Sequence, residues 1–264
     1  LEPPAIAREA FAPYLEAAAL LGERTAQLHR ALAAREDAAF TPEPINPFWQ
    51  RSLFQNVRNT VTDNLALLER KLDSVPADAR DTARWAIDGR DHMLARLRRL
   101  LGEPIDGARI RIHGDFHLGQ VLWTGRDFVI IDFEGEPGRP IGERRIKRSP
   151  LRDVAGMLRS FHYAAYSSLA TERDRGVGIA QPEGERLASY WYAQTSAAFL
   201  RGYFRTMADS GLVPEATAQL TLMLEAYLLE KAVYEVGYEL NNRPTWVGLP
   251  LRGVLQLMGD APAP

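Results

Sequence analysis

Cysteine is absent from this sequence of 264 residues. Its absence excludes disulfides, thiolate zinc sites and cysteine nucleophiles. No apolar run approaches the roughly 20 residues that a membrane-spanning helix needs, so we expect no membrane partner. The absence of cysteine fits a cytoplasmic protein, and we expect the chain to be cytoplasmic. Neither a Gly-x-Ser-x-Gly elbow nor a Walker A loop is present.

An excess of charge of either sign is missing as well. The 32 basic and 34 acidic residues give a formal net charge of -2. This balance argues against nucleic acid as the main partner, because phosphate backbones select strongly basic surfaces. Hydrophobic residues make up 46% and charged residues 25% of the chain, as in ordinary globular domains. The length allows one large domain or two small ones.

Apolar residues at helical spacing dominate both ends of the sequence. Ser149-Pro150 also has the composition of a helix start, with a capping serine followed by proline, and a polar loop is expected at 171–182. The predicted helices are 6–32, 47–72, 76–101, 149–169, 183–209, 214–241 and 249–258.

Short β-rich runs replace the helical pattern in the middle of the chain. Arg109–Ile112 alternates with period two, and the runs Val121–Trp123 and Phe128–Ile131 flank the turn residues Thr124–Asp127. The last two runs therefore predict a hairpin. The expected fold class is α+β, predominantly helical, with one small central β-hairpin insertion.

Polar residues with phosphotransfer chemistry follow these strands. The first strand leads into a loop that carries Asp115 and closes with Gln120, and the hairpin leads to Asp132, 17 residues after Asp115. One carboxylate can orient and deprotonate an acceptor hydroxyl, while another carboxylate and an amide oxygen hold Mg²⁺ on ATP. We therefore predict Asp115 as the base and Gln120 and Asp132 as metal ligands. Any one of these residues alone would more often be a turn former.

The loop His113-Gly-Asp-Phe-His-Leu-Gly-Gln120 and the segment Ile131-Asp-Phe-Glu134 resemble a known family. The pattern His-Gly-Asp-x-His-x-x-x-[Asn/Gln], followed by a metal-binding Asp-Phe, is that of the aminoglycoside-phosphotransferase-like and choline-kinase-like branch of the protein kinase superfamily. The resemblance implies a kinase-like C-lobe fold and adds His113 and His117 to the catalytic loop. For His117, a loop-bracing hydrogen bond is favoured over direct chemistry.

A narrower resemblance covers most of the chain. Four segments together look like the bacterial maltokinases: His113–Leu122, Ile131–Pro137, Ser149–Ser160 and Glu230–Glu235. A fifth segment, Tyr238–Trp246, looks particularly like the versions of these enzymes that are fused behind a trehalose synthase. This resemblance implies transfer of the ATP γ-phosphate to the anomeric hydroxyl of maltose. It also implies a trehalose synthase domain as partner.

Two further carboxylates have competing interpretations. By resemblance, Asp153 is the buried aspartate that braces the catalytic loop, although a first-turn acid also suits the helix dipole. Glu134 stands where typical protein kinases have glycine. We predict a sugar contact or a position behind the metal ligands for this side chain.

A late helix carries the candidate sugar site. Lys231, Tyr234 and Tyr238 share one helical face, and Trp246 follows. Aromatic faces pack on sugar C–H surfaces while charged groups bond hydroxyls, so we predict that these side chains bind substrate. The alternative is that the tyrosines belong to the core and the charges are solvated.

A run of basic residues follows the metal motif: Arg139, Arg144, Arg145, Lys147 and Arg148. In kinases the activation segment lies at this point of the chain. The run is either a solvated loop or a surface that faces a phosphate or a sugar.

The opening Leu1-Glu2-Pro3-Pro4 has no initiator Met and no signal-peptide pattern, which predicts a fragment of a longer protein. Kinases of this superfamily need a β-rich N-lobe whose lysine contacts the ATP phosphates, and no such lobe precedes Ile6. We therefore expect the chain alone to phosphorylate sugars poorly or not at all. The whole chain, 1–264, is interpreted as a C-lobe with a helical part (1–104), a catalytic and metal-binding part (105–148) and a helical sugar-binding part (149–264).

Two other functions stay open. A glucosamine kinase of the same fold would change only the acceptor sugar. A non-catalytic kinase-like module that docks to a trehalose synthase would change the class of function. The joint presence of Asp115, Gln120 and Asp132 argues against such a module, because a lobe that only binds needs none of them.

Overall fold

The computed structural model describes residues 5–138, 140–174 and 181–259. The α-helices are α1 (Ala5–Ala33), α2 (Pro47–Arg70), α3 (Arg80–Asp88), α4 (Arg90–Leu97), α5 (Ile141–Arg144), α6 (Leu151–Asp174), α7 (Gln181–Met207), α8 (Thr217–Asn242) and α9 (Gly248–Met258). The strands are β1 (Glu43–Pro44), β2 (Ala108–Arg109), β3 (Val121–Trp123) and β4 (Phe128–Ile130), and they form the two-stranded sheets β1–β2 and β3–β4.

Most predicted helices are confirmed within a few residues, and one is divided. The helix predicted at 76–101 is interrupted at Gly89, which separates α3 from α4, since glycine is a poor helix former. The loop predicted at 171–182 is wrong at its ends, because α6 continues to Asp174 and α7 begins at Gln181. Residues 175–180 lie outside the described residues.

The predicted hairpin is confirmed, and the predicted strand before it is too long. β3 and β4 pair antiparallel, with Val121 opposite Ile130. The strand predicted at 109–112 is a strand only over Ala108–Arg109, followed by a single bridge between Ile110 and Arg148. Ile110 is fully buried, so the alternation in this segment reports burial of one side rather than a full ladder.

The chain folds as two compact units, each built from two separate segments of the sequence. Unit 1 comprises Leu1–Glu43 and Ala108–Val213. In this unit α1 packs along α7, and Gly22 and Gly202 bring the two backbones close, since a Cβ on Gly22 would meet the Phe199 carbonyl. Its core includes the buried side chains of Leu21, Val154, Met157, Phe161 and Phe199.

Unit 2 comprises Pro44–Gly107 and Pro214–Pro264. α2 packs on α8, and α9 packs on α3 and α8. Asn46 caps α2 by accepting a hydrogen bond from the Trp49 N–H at 2.9 Å, which fixes the start predicted from Pro47. Its core includes Val57, Val61, Leu65, Met93 and Val236.

None of the described helices is both long and apolar enough to cross a membrane. The prediction of three consecutive parts, divided at residues 104 and 148, stays a prediction.

Candidate active site

The catalytic loop between β2 and β3 is tied to helix α6 through Asp153. One oxygen of this carboxylate accepts from the His113 N–H at 2.7 Å, and the other accepts from the Gly114 N–H at 2.9 Å. Asp153 is 2% exposed. A buried carboxylate that accepts two backbone hydrogen bonds holds the residues just before Asp115 in one conformation.

A buried chain of side chains supports Asp153 from behind. His29 on α1 places Nε2 3.0 Å from the Asp153 carboxylate, and its Nδ1 lies 2.9 Å from the Tyr203 hydroxyl on α7. Because the carboxylate can only accept, Nε2 carries a proton and Nδ1 is left to accept from Tyr203. The segments of unit 1 that precede and follow the catalytic loop therefore both anchor it.

Burial and hydrogen bonding act in opposite directions on Asp153. Burial raises the pKa of this carboxyl, but the hydrogen bond from His29, electrostatic interactions with His29 and His113, and the Gly114 N–H outweigh it, so the pKa lies below its ordinary value. Burial, and then the charge of Asp153, raises the pKa of Tyr203 well above its ordinary value. Tyr203 thus stays a hydrogen-bond donor.

Two more residues on α6 contact the loop. A Cβ on Gly156 would lie 2.6 Å from the Phe116 carbonyl oxygen, so only glycine lets the helix approach this closely. The Ser160 hydroxyl accepts from the Leu118 N–H at 3.0 Å. Asp153, Gly156 and Ser160 lie at helical spacings of three and four residues. The catalytic loop therefore packs against one face of α6.

His113 connects the catalytic loop to the segment that carries Asp132. Its Nε2 donates to the Ile131 carbonyl at 2.8 Å, and its ring packs on Phe116 and Phe133 at centroid distances of 5.3 and 5.4 Å. Since His113 is 1% exposed, it holds the two loops together from within.

His117 lies at the surface and caps the short 3₁₀ turn Leu118–Gln120. Its Nδ1 accepts from the Gly119 N–H at 3.0 Å. Its Nε2 is 4.0 Å from the Asp115 carboxylate, which is too long for a hydrogen bond. This geometry is that of a residue that shapes the loop.

The hairpin brings the predicted metal ligands together. Gln120 precedes β3 and Ile131 follows β4, and the Ile131 N–H donates to the Gln120 carbonyl at 3.0 Å. The next residue, Asp132, is therefore beside Gln120, and the Gln120 amide nitrogen donates to the Asp132 carboxylate at 3.0 Å. That bond leaves the amide oxygen of Gln120 available as a ligand.

Asp132 has an unusual backbone. Its φ of 63° lies in the left-handed region, which non-glycine residues seldom adopt. Such a conformation costs about 1–3 kcal/mol and is found mainly at functional sites. The carboxylate that this backbone carries is exposed.

The pair of Gln120 and Asp132 suits a hard cation such as Mg²⁺, which prefers oxygen ligands. Over the described ranges, no group of three or more His, Asp or Glu residues could hold a metal. A Mg²⁺ ion on this pair would draw its other ligands from water and substrate phosphates, as this ion commonly does in phosphotransfer sites.

The remaining predicted residues are distributed over both units. Asp115 is partly accessible, with its side chain 22% exposed, and Glu134 is exposed. Lys231, Tyr234 and Tyr238 all lie on α8 in unit 2. Their roles, like those of the loop residues, stay predictions.

The residues on α8 take part in two separate cation–π arrangements, one of which includes the segment that follows the helix. Lys231 Nζ lies 5.2 Å from the Tyr234 ring centre, and the Arg243 guanidinium lies 5.9 Å from Tyr238 and 4.8 Å from Trp246. Tyr238 is 47% and Trp246 38% exposed. Ring faces at the surface are therefore present in unit 2.

Sequence reasoning missed His29, Tyr203, Gly156 and Ser160. His29 and Tyr203 are far from the motif in the chain, and a buried histidine gives no periodic signal. Gly156 and Ser160 could have been found, because they follow Asp153 at helical spacing on the face that carries it.

Comparison with known proteins identifies the family to which this chain belongs. The profile of the phosphotransferase enzyme family matches residues 3–136, which is half of the chain and includes Asp115, Gln120 and Asp132. The chain therefore belongs to the phosphotransferase enzyme family.

Glucosamine kinases are among the similar proteins. The chain is 29% identical to one from Streptacidiphilus jiangxiensis, over 92% of this chain and 49% of that protein, and 25% identical to one from Mycolicibacterium smegmatis, over 92% and 54%. It thus spans about half the length of the curated relatives it matches.

Solved structures show the same fold. A glucosamine kinase in complex with glucosamine, ADP and inorganic phosphate matches with a TM-score of 0.75 and 24% identity, over 95% of this chain and 52% of that one. A glucosamine kinase in crystal form A matches with a TM-score of 0.77 and 23% identity, over 97% of this chain and 54% of that one. The predicted kinase-like, predominantly helical fold is confirmed. The maltokinase resemblance and the trehalose synthase partner stay predictions.

Proposed function

We propose that this chain carries the acceptor-activating and metal-binding groups of an ATP-dependent sugar kinase, with glucosamine as the favoured acceptor. The observation that carries the proposal is the joint anchoring of Asp115 and Asp132. His113 binds the Ile131 carbonyl while Asp153 holds the loop before Asp115, so both carboxylates are presented from one braced framework. Such preorganisation is the main contribution of a protein to phosphoryl transfer.

Asp115 acts on the acceptor hydroxyl. Its partly exposed carboxylate accepts the hydroxyl hydrogen bond, orients the oxygen toward the γ-phosphorus and takes the proton as the new O–P bond forms. The bond between the γ-phosphorus and the bridging oxygen of ATP breaks in the same step, and ADP leaves with that oxygen. Gln120 and Asp132 would hold Mg²⁺ through their side-chain oxygens, and this ion supplies charge neutralisation on the ATP phosphates. The His113 and Asp153 contacts keep both sets of groups in place.

Glucosamine is favoured over maltose because two relatives that align with 92% of this chain are glucosamine kinases. An amino sugar carries a cationic amine, and Glu134, which replaces the usual glycine two residues after Asp132, supplies an exposed carboxylate for it. Maltose is the second candidate, because it is the acceptor that the resemblance to the maltokinases implies.

The test is an acceptor screen on the protein at its full natural length. With ATP and Mg²⁺, we expect ADP release and a phosphosugar mass with glucosamine, and a lower kcat/KM with maltose. Preference for maltose would reverse the acceptor assignment. Turnover with neither sugar would contradict the sugar-kinase proposal and favour a binding module.

Asp115→Asn identifies the base in the same assay. We expect it to lower kcat about 10²–10⁴-fold, the usual contribution of general base catalysis. Asp63→Asn, which changes an exposed carboxylate on α2, is the matched control and should keep parental activity. Undiminished turnover in the Asp115 variant would remove this residue from the mechanism.

A further inference from the structure

A cleft that is separate from the catalytic residues lies in unit 1. This cleft of about 560 Å³ is lined by Ala39, Phe40, Glu43, Arg109, Arg111, Arg145, Ile146 and Lys147. The lining contains none of Asp115, Gln120 or Asp132. It includes two members of the basic run that follows the metal motif, of which Arg139 lies outside the described residues.

Charge in the cleft is unbalanced. Glu43 accepts from Arg109 at 2.7 Å and from Lys147 at 2.9 Å, so one carboxylate already serves two cations. No carboxylate other than Glu43 is among the described lining residues, so none of them pairs with Arg111 or Arg145. The Nε of Arg109 is also buried without a hydrogen-bond partner in the described part of the chain.

Arg111 is held in an unfavourable environment for a cation. Its guanidinium donates to the Arg144 carbonyl at 3.0 Å. Burial, and then the neighbouring charge of Arg145, lowers the pKa of Arg111. A solvated loop would let two such arginines separate, whereas here the backbone contact keeps Arg111 in place.

Apolar side chains form another part of the lining. The Arg35 guanidinium lies 5.1 Å from the ring centre of Phe40, and Ile146 is 47% exposed. Because its lining includes both arginines and apolar side chains, the cleft offers an anion-binding edge and an apolar surface. Its volume is much larger than that of one phosphate ion.

We propose that this cleft binds a small phosphorylated metabolite, with its phosphate between Arg111 and Arg145 and its carbon skeleton against Phe40 and Ile146. Paired guanidinium groups match phosphate oxygens through charge-assisted hydrogen bonds. A bound dianion removes the repulsion between the two arginines. The proposal is independent of the sugar-kinase function, because it uses none of the groups assigned to catalysis.

Calorimetric titration with two probes, inorganic phosphate and glucose 6-phosphate, tests the site at constant ionic strength. We expect both to bind, and the phosphate ester to bind more tightly because it also contacts the apolar wall. Equal affinities would overturn the assignment of Phe40 and Ile146 to the carbon skeleton. Absence of binding by either probe would overturn the site.

Two arginine variants separate a built site from general attraction to a positive surface. Arg145→Gln should weaken binding of both probes about tenfold, as expected for loss of one charge-assisted contact. Arg201→Gln, which removes an exposed arginine on α7, should leave both affinities unchanged. Equal effects of the two variants would show screening alone and would overturn the proposal.

The unliganded variants provide a fold control. Arg145 is exposed and repels Arg111, so Arg145→Gln should melt at the same temperature as the parent or slightly higher. Added glucose 6-phosphate should then raise the Tm of the parent and of Arg201→Gln, and much less that of Arg145→Gln. A uniform rise in all three would contradict binding between the two arginines.

Discussion

Asp153 shows how one side chain can determine the shape of a loop that is distant in the sequence. Its two oxygens serve two backbone N–H groups and one imidazole, all within 3.0 Å. Removing one partner from such a buried charged set leaves the others unpaired, which costs more than an exposed contact is worth. The loop before Asp115 therefore depends on this carboxylate.

Asp153→Asn should lower the free energy of unfolding by about 3 kcal/mol near neutral pH, because the neutral amide lacks the charge and brings an N–H toward other donors. Urea unfolding measures this difference. Asp63→Asn on the exposed face of α2 is the control and should change stability little. A loss no larger than that of the control would contradict the anchoring role.

The stability difference between the parent and Asp153→Asn should also depend on pH. Because the pKa of Asp153 in the folded state lies below its ordinary value of 3.8, the carboxylate stabilises the fold above that value. Its contribution is lost as the pH falls through the lower, folded-state pKa. The stability difference between parent and variant should therefore shrink on acidification below about pH 5. A difference that grows on acidification would be inconsistent with a depressed pKa.

Helix α6 acts as a unit, since three of its residues on one face meet the catalytic loop. The closest approach is at Gly156, where backbone lies against backbone and neither side can yield by a rotamer change. Helix position and loop conformation are therefore coupled. An added methyl group would push the two apart.

In the protein at its full natural length, Gly156→Ala should reduce the rate of ADP release with sugar at least about tenfold, and urea unfolding should show a destabilisation of about 1–3 kcal/mol, the usual cost of overpacking. Gly142→Ala on α5 is the matched control, because a Cβ there meets nothing within 4 Å. It should keep parental activity and stability. Comparable losses in both variants would show that close packing on α6 is not the cause.

The hairpin was more predictable than the strand before it. Thr124–Asp127 are turn formers between two β-rich runs, so local sequence sufficed to place β3 and β4. The run at 109–112 alternates equally well, yet only Arg109 belongs to a strand, and Ile110 adds a single bridge to Arg148. Pairing partners are not encoded in a strand's own pattern.

The turn of the hairpin is also tied to α1, by a contact that no local pattern reveals. Arg24 donates to both oxygens of Asp127, at 2.7 and 3.1 Å. This hydrogen bond raises the pKa of Arg24 and lowers that of Asp127. It relates α1 to the hairpin that places Gln120 and Asp132.

At the scale of the whole molecule, this chain is about half as long as the relatives that it matches. The chain spans 49% and 54% of the two glucosamine kinases, and the groups proposed above are ones for the acceptor and the metal. Kinases also need groups that cover ATP and contact its phosphates. We therefore expect the 264-residue chain alone, given glucosamine, ATP and Mg²⁺, to show no turnover above background.

A coupled ADP-release assay measures this, with the Streptacidiphilus jiangxiensis glucosamine kinase as the positive control under the same conditions. Robust turnover by the chain alone would show that it already holds every group that phosphoryl transfer needs. Circular dichroism on the same sample distinguishes an inactive folded chain from an unfolded one.

Residue types and spacing were enough to predict the class of chemistry, the helices and the hairpin, because these depend on local periodicity and on a short motif at strand ends. Tertiary structure alone decided how the motif is held. His29 reaches Asp153 from a helix far earlier in the chain, and Tyr203 supports His29 from another helix. Gly156 matters only because Phe116 packs on it. Such contacts depend on where helices pack, and the local sequence around a residue does not show which distant residue it will contact.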